Sequence, residues 1–184
     1  MIKKCITIIF TLLVVFLLAG CNGSDTGSGA GGGAGAEAKD TLTENAANTL
    51  AGIIVDVQAD LPMMFEDAIT AETAQGMLGL TPEQFEKYVS EAAASTAAIS
   101  TFAIQISLVK CNDFTAATEV KSLIAKGYDS GKWICVFPEQ SMTVESGSYV
   151  LLAVGPADTV DAILKSFTDA AAGNVGSPDV FFTA

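Results

Sequence analysis

The chain contains no histidine and no arginine, so all nine of its basic residues are lysines. Each absence removes a chemistry. Histidine is the commonest general base and the commonest zinc ligand. The lack of an imidazole to activate a thiol argues against a cysteine protease. Without arginine there is no bidentate clamp for phosphate or carboxylate. Cations are scarce as well. Lys3 and Lys4 stand ahead of Cys21, which leaves seven lysines against 21 acidic residues beyond it. A surface of that sign repels nucleic acid, whose binding needs clustered cations on the phosphates. It is equally unsuited to lying flat on anionic lipid. The calcium-loop spacing D-x-D-x-D-G and the phosphate-cradling GK[ST] are also missing. Neither a metal nor a cofactor is expected, and no catalytic residue stands out.

What the chain does contain begins with a leader. "MIKK" is a short positive start, "CITIIFTLLVVFLL" an apolar run, and "LAGC" a small-residue close at Cys21. The run from Cys5 to Ala19 is short for a spanning helix, which needs ~20 apolar residues. The layout is that of a secretory signal. With its terminal cysteine, the segment resembles a bacterial lipoprotein signal and its lipobox. That resemblance implies that residues 1–20 are removed as a signal peptide and that diacylglycerol is attached to the Cys21 thiol. The membrane is then a partner through that lipid, and the protein lies on the extracytoplasmic face of the cell membrane. The alternative is an uncleaved N-terminal anchor with an incidental cysteine. Acyl chains anchor stably because each buried CH₂ contributes ~0.8 kcal/mol.

Residues 21–39 are rich in glycine, serine and alanine and show no hydrophobic period. Such a composition cannot offset its ordering entropy and reads as a flexible tether. About 17 residues of this kind span roughly 20–25 Å root-mean-square.

Residues 40–184 read as a single α+β domain. "TLTENAANTLAGIIVDVQ" (41–58) has helical spacing, with Thr41 or Thr43 as candidate caps. "MMFEDAIT" (63–70) is short and suggests a strand or extended segment. "AETAQGMLGL" predicts a short helix stopped near Gly79. In "LTPEQFEKYVSEAA", Thr81, Pro82 and Gln84 form a capping box with proline at the first helical position, so a helix is predicted through the alanines. "ISTFAIQISLVKC" (99–111) alternates as a strand does. "NDFTAATEVKSLIAKG" follows as a helix capped at Asn112 or Asp113. "SMTVESGSYVLLAVG" (141–155) predicts a hairpin turning at "ESGS", and "YVLLAV" is apolar on both faces, as in a central strand. "PADTVDAILKSFTDAAAG" predicts a last helix capped by Asp158 and stopped at Gly173, and "VFF" an edge strand or a lid on the core. The expected architecture is a small, mostly antiparallel sheet with helices packed on one face.

Four segments carry a further resemblance: "GLTPEQFEKYV" (79–89), "ISLVKCND" (106–113), "FPEQ" (137–140) and "GSYVLLAV" (147–154). In their order and spacing they resemble a family of lipid-anchored bacterial proteins, common in Gram-positive anaerobes and catalogued as a domain of unknown function. The likeness covers roughly residues 42–170, and Lys110, Asp113, Gly147 and Tyr149 match. Gln105 stands where an acidic residue is usual, and Trp133 and Phe137 stand where a tyrosine precedes the proline. The resemblance implies a lipoprotein with an α+β fold and assigns no activity.

Three constellations bear on function. Cys111 and Cys135 would close a loop of ~25 residues if bonded, contributing ~3 kcal/mol, or would remain two buried free thiols. Glu66/Asp67, Glu83/Glu86 and Asp158/Asp161 are paired carboxylates, the chemistry of an envelope hydrolase, although helix starts account for the last two pairs. "WICVFPEQ" (133–140) offers an aromatic platform or plain core packing. Trp133, Phe137 and Tyr149 are the first place to look for a ligand or partner surface. The leading expectation is a non-enzymatic, lipid-anchored module that binds an envelope protein or a small ligand, or serves as an accessory subunit.

Overall fold

The computed structural model describes residues 39–99, 101–133 and 135–184. The expected signal peptide (residues 1–20), Cys21 and nearly all of the expected tether (residues 21–39) lie outside the described residues.

Among the described residues, five α-helices and six strands follow in order: α1 (Ala46–Val57), β1 (Met64–Ala68), α2 (Ala71–Leu78), α3 (Pro82–Tyr88), β2 (Val89–Ala97), β3 (Gln105–Cys111), α4 (Phe114–Gly127), β4 (Gln140–Ser146), β5 (Tyr149–Gly155), α5 (Ala157–Ala170) and β6 (Asp179–Thr183). The strands form one sheet in the order β1-β2-β3-β5-β4-β6, antiparallel at every pairing. The fold is α+β, as the sequence indicates.

The sequence reading expected the helices on one face of the sheet, but they cover both. Leu50, Ile53 and Ile54 of α1 and Val160, Ile163 and Phe167 of α5 pack with Ile106, Leu108, Tyr149, Leu151 and Ala153. Leu78 of α2, Phe85 of α3 and Val120 and Ile124 of α4 pack with Val109, Val150, Leu152 and Val154 on the opposite face. Strand order supplies the reason. The connections β3–α4–β4 and β5–α5–β6 each skip one strand and step the same way across the sheet. β3 and β5 run in opposite directions. Two crossovers of the same hand that start from opposite strands must fall on opposite faces.

Local signals set the element ends. Thr81 Oγ1 accepts from the Gln84 N–H and Gln84 Oε1 from the Thr81 N–H, the capping box that opens α3. Asn45, not Thr41 or Thr43, caps α1, while Thr41 Oγ1 donates to the Ala171 carbonyl at 2.9 Å. Asp113 caps α4. Pro156, not Asp158, occupies the position before α5. The predicted helix over residues 80–93 ends at Tyr88, and its second half instead opens the strand β2, paired on both sides. The strand expected over 99–111 begins only at Gln105, and the described residues between β2 and β3 belong to a loop. "VFF" does form an edge strand, within β6.

Register divides the sheet into two ends. At one, Ser146 faces Tyr149 across the hairpin turn, the Cys111 N–H donates to the Ser148 carbonyl, and Asp40 Oδ1 accepts from the Ser148 N–H at 2.7 Å. At the other, Gln105 faces Val154 and Gln140 faces Gly155. The described chain therefore enters beside the hairpin turn. Seven-residue central strands place the far end roughly 20 Å away.

Candidate functional site

The far end of the sheet carries most of the large exposed apolar side chains. Loop 98–104 supplies Ile99 and Phe102, loop 128–139 supplies Phe137, and the start of β1 supplies Met63 and Phe65. Phe137 is 67% exposed and Phe102 44%. Together they flank a groove of about 170 Å³ floored by Ile104, Val136 and Pro138 and closed by Pro156. Local chemistry holds them out. Pro138 is buried and biases Phe137 toward extended backbone. The Phe102 N–H donates to the Ile99 carbonyl at 3.1 Å, a turn that lifts the ring off the sheet. Exposed apolar patches of this kind mark interaction surfaces.

Beneath loop 128–139 lies a polar cluster that fixes its position. Gln105 is fully buried. Its Nε2 donates to the Met77 carbonyl at 2.6 Å and to Ser107 Oγ at 2.8 Å. Its Oε1 accepts from Lys132 Nζ at 2.7 Å and from the Tyr128 hydroxyl at 3.2 Å. Every hydrogen-bonding position of the amide is thus used. Lys132 Nζ also donates to the Gly76 carbonyl at 2.8 Å, in the last turn of α2 where a cation is favoured. The rings of Tyr128 and Trp133 stand 4.6 Å and 5.5 Å from the same nitrogen. Burial lowers the Lys132 ammonium to about 8, against the opposing pull of the Asp129 carboxylate. Burial raises the Tyr128 hydroxyl above its ordinary value.

The sequence-predicted surface residues separate. Trp133 and Phe137 lie on loop 128–139, at the far end. Tyr149 is core: it is 1% exposed, packs among the residues of α1 and α5, and donates its hydroxyl to the Glu44 carbonyl. It faces Lys110 across the strands, near the hairpin turn. It therefore belongs to no surface with Phe137, because β5 runs the length of the sheet between them. Phe102 was missed. The period-two pattern of residues 99–111 disguised it as a strand residue.

Cys111 and Cys135 are free thiols. Cys111 is buried beside the hairpin-turn end, and burial, then the Asp113 carboxylate, pushes its thiol up to about 12. Cys135 is exposed. The 14 residues of α4 carry the chain about 21 Å along the sheet before the loop begins, so the return loop emerges at the far end from Cys111.

All six carboxylates of the three pairs are exposed. Glu66 and Asp67 are neighbours on β1 and so point to opposite faces. Glu83 sits in the first turn of α3, where its own backbone N–H and the Thr81 hydroxyl hold its carboxyl below the ordinary range. Asp158 and Asp161 lie on the outer face of α5. None of these pairs meets across a cleft in the way a glycosidase requires. Among the described residues no group of three or more His, Cys, Asp or Glu side chains is placed to hold a metal ion.

A second cleft, of about 300 Å³, lies between the first half of α1 and the β1–β2 edge, walled by Ala46, Ala68 and Ala93 with Glu66 and Glu91 beside them. Glu91 is paired with Lys110 at 3.4 Å.

No helix among the described residues is long and apolar enough to cross a membrane. No protein-family model matches the chain, and neither a curated protein nor a solved structure gives a significant match.

Proposed function

We propose that this protein is a lipid-anchored extracytoplasmic lipoprotein whose folded domain is a docking module for an envelope protein, not an enzyme. Cys21 carries the lipid, and the glycine-rich segment after it is the tether. In this reading the chain belongs with the lipid-anchored bacterial family its motifs resemble. The observation that carries the proposal is the opposition of the two ends. The chain enters the domain at Asp40, pinned to the hairpin turn by Ser148. The exposed Phe102 and Phe137 stand at the other end of the central strands. A tether at one pole presents the other pole away from the bilayer, where a protein partner can reach it. The acidic balance of the domain acts in the same sense by discouraging contact with anionic lipid.

Site-specific photocrosslinking in intact cells tests this. A photoreactive side chain at Phe137 should yield a discrete adduct that Phe102→Asp abolishes, and the same group at exposed Thr115 should yield none. Equal adducts from both positions would sink the docking surface. The anchor is tested separately: Cys21→Ala should leave the membrane fraction, and its retention there would refute lipidation as the attachment.

A further inference from the structure

Strand β1 ends the sheet, and among the described residues no strand lies beside its outer edge. Its hydrogen bonds show which groups face outward. The Ile69 N–H donates to the Ala92 carbonyl and the Ala98 N–H to the Met63 carbonyl. In an antiparallel ladder these alternate. Residues 63, 65, 67 and 69 therefore turn their main-chain groups toward β2, while Met64, Glu66 and Ala68 turn theirs away. Those three residues present a row of N–H and C=O groups over one five-residue strand.

The side chains along this edge favour one kind of occupant. Met64, Glu66 and Ala68 face α1, where the alanine-walled cleft of about 300 Å³ opens beside them. Alanines at 92, 93 and 94 of β2 leave room that bulkier strand residues would fill. On the other face stand Phe65, 58% exposed, and the Asp67 carboxylate. Each face of the edge thus carries one carboxylate beside apolar surface. Self-association is disfavoured, since antiparallel pairing of two copies about Glu66 sets that carboxylate against its twin. An acidic strand is repelled for the same reason. A strand bearing lysine or arginine gains a cross-strand partner on either face, and its aliphatic stems cover the alanines and Phe65.

We infer that the free edge of β1 is a strand-addition site for an extended, basic segment of a partner protein. Main-chain hydrogen bonds to Met64, Glu66 and Ala68 supply the attachment, and Glu66 and Asp67 select for positive charge. The surface is separate from the Phe102–Phe137 groove and does not depend on it.

Amide hydrogen exchange on the full chain in detergent tests the inference. The probe is an acetylated, amidated heptapeptide of alternating lysine and valine. It should slow exchange at the amides of Met64, Glu66 and Ala68 by about tenfold and leave β6 unaffected. A peptide with glutamate in place of lysine should not bind, and Glu66→Lys should weaken the lysine peptide and admit the glutamate one. A peptide N-methylated at every residue cannot donate to the edge and should lose binding to the wild-type chain, a comparison independent of how any variant folds. Absence of protection at those three amides, protection elsewhere instead, or undiminished binding of the N-methylated peptide each overturns the assignment.

Discussion

At the residue scale, environment separates side chains of identical type. Cys111 and Cys135 are both unbonded, but one is buried with its thiol held up at about 12 and the other is exposed. Because the thiolate is the reactive form, maleimide at pH 7.5 should label Cys135 within minutes and Cys111 only after denaturation, as read by peptide mapping. Comparable labelling of both in the folded chain would contradict the burial of β3. Lys132 makes a pH prediction. Its folded-state value is lowered from 10.5 to about 8, so between those pH values the unfolded chain holds a proton that the folded chain has released. Stability then rises with pH across that window. Cys111 and Tyr128, both raised, act in the opposite direction above about pH 9. The clean observable is therefore the Tm difference between wild type and Lys132→Met, in which those contributions cancel. Wild type should gain on the variant from pH 7 to pH 10, and a flat difference would refute the buried ammonium. The sequence pointed to Trp133 and Phe137 because an aromatic pair beside a proline is conspicuous. It placed Tyr149 with them wrongly, since a tyrosine ring looks the same in print whether its hydroxyl reaches solvent or the Glu44 carbonyl.

At the element scale, backbone contacts that leave no trace in hydrophobic pattern decide how helices meet. Gly79 ends α2 with φ +73°, and a Cβ there would lie 2.1 Å from the Gly127 carbonyl carbon at the end of α4. Gly173 has φ +80° with nothing within 4 Å. Gly79→Ala should therefore cost roughly 2–4 kcal/mol, and Gly173→Ala about 1 kcal/mol. Urea unfolding of the two variants measures the gap, and equal losses would mean that α2 and α4 do not touch as described. The caps expected at Thr41 or Thr43 and at Asp158 fall at Asn45 and Pro156, whereas the Thr81–Gln84 box was legible because it is purely local. The helix it opens was overextended because alanine favours helix, whereas residues 89–97 are fixed by pairing with β1 and β3, which local propensity cannot register. The two-sided cover of the sheet had a trace in "YVLLAV", apolar on both faces. A strand buried on both sides requires a layer on each.

At the scale of the molecule, the first residues of the described domain are tied into the core. Leu42 is 7% exposed and packs with α1 and α5, while Thr41 binds the end of α5 and Asp40 the hairpin turn. Leu42→Ala should lower stability by about 2–4 kcal/mol in a two-state thermal or urea transition. A loss below about 0.5 kcal/mol would show that Leu42 does not pack with α1 and α5 as described. The α+β class could be read from alternating periodicities. The strand order could not, because the β3-β5-β4-β6 interleaving depends on which edges remain free when each strand arrives, and nothing in residues 105–183 encodes that locally.

The same interleaving bears on how the chain reaches its place. The early part of the domain finds its partners more than a hundred positions later: Thr41 with Ala171, Glu44 with Tyr149, Asp40 with Ser148, and Ile53 with Ser166. A chain threaded N-terminus first through a narrow channel would carry α1 across with nothing yet to pack against. Closure of the core between α1 and the sheet must wait until α5 has followed. Contacts of such separation fold slowly. For a protein that has to remain extended until the last of it has passed, slow closure keeps the chain in a form that can still be moved.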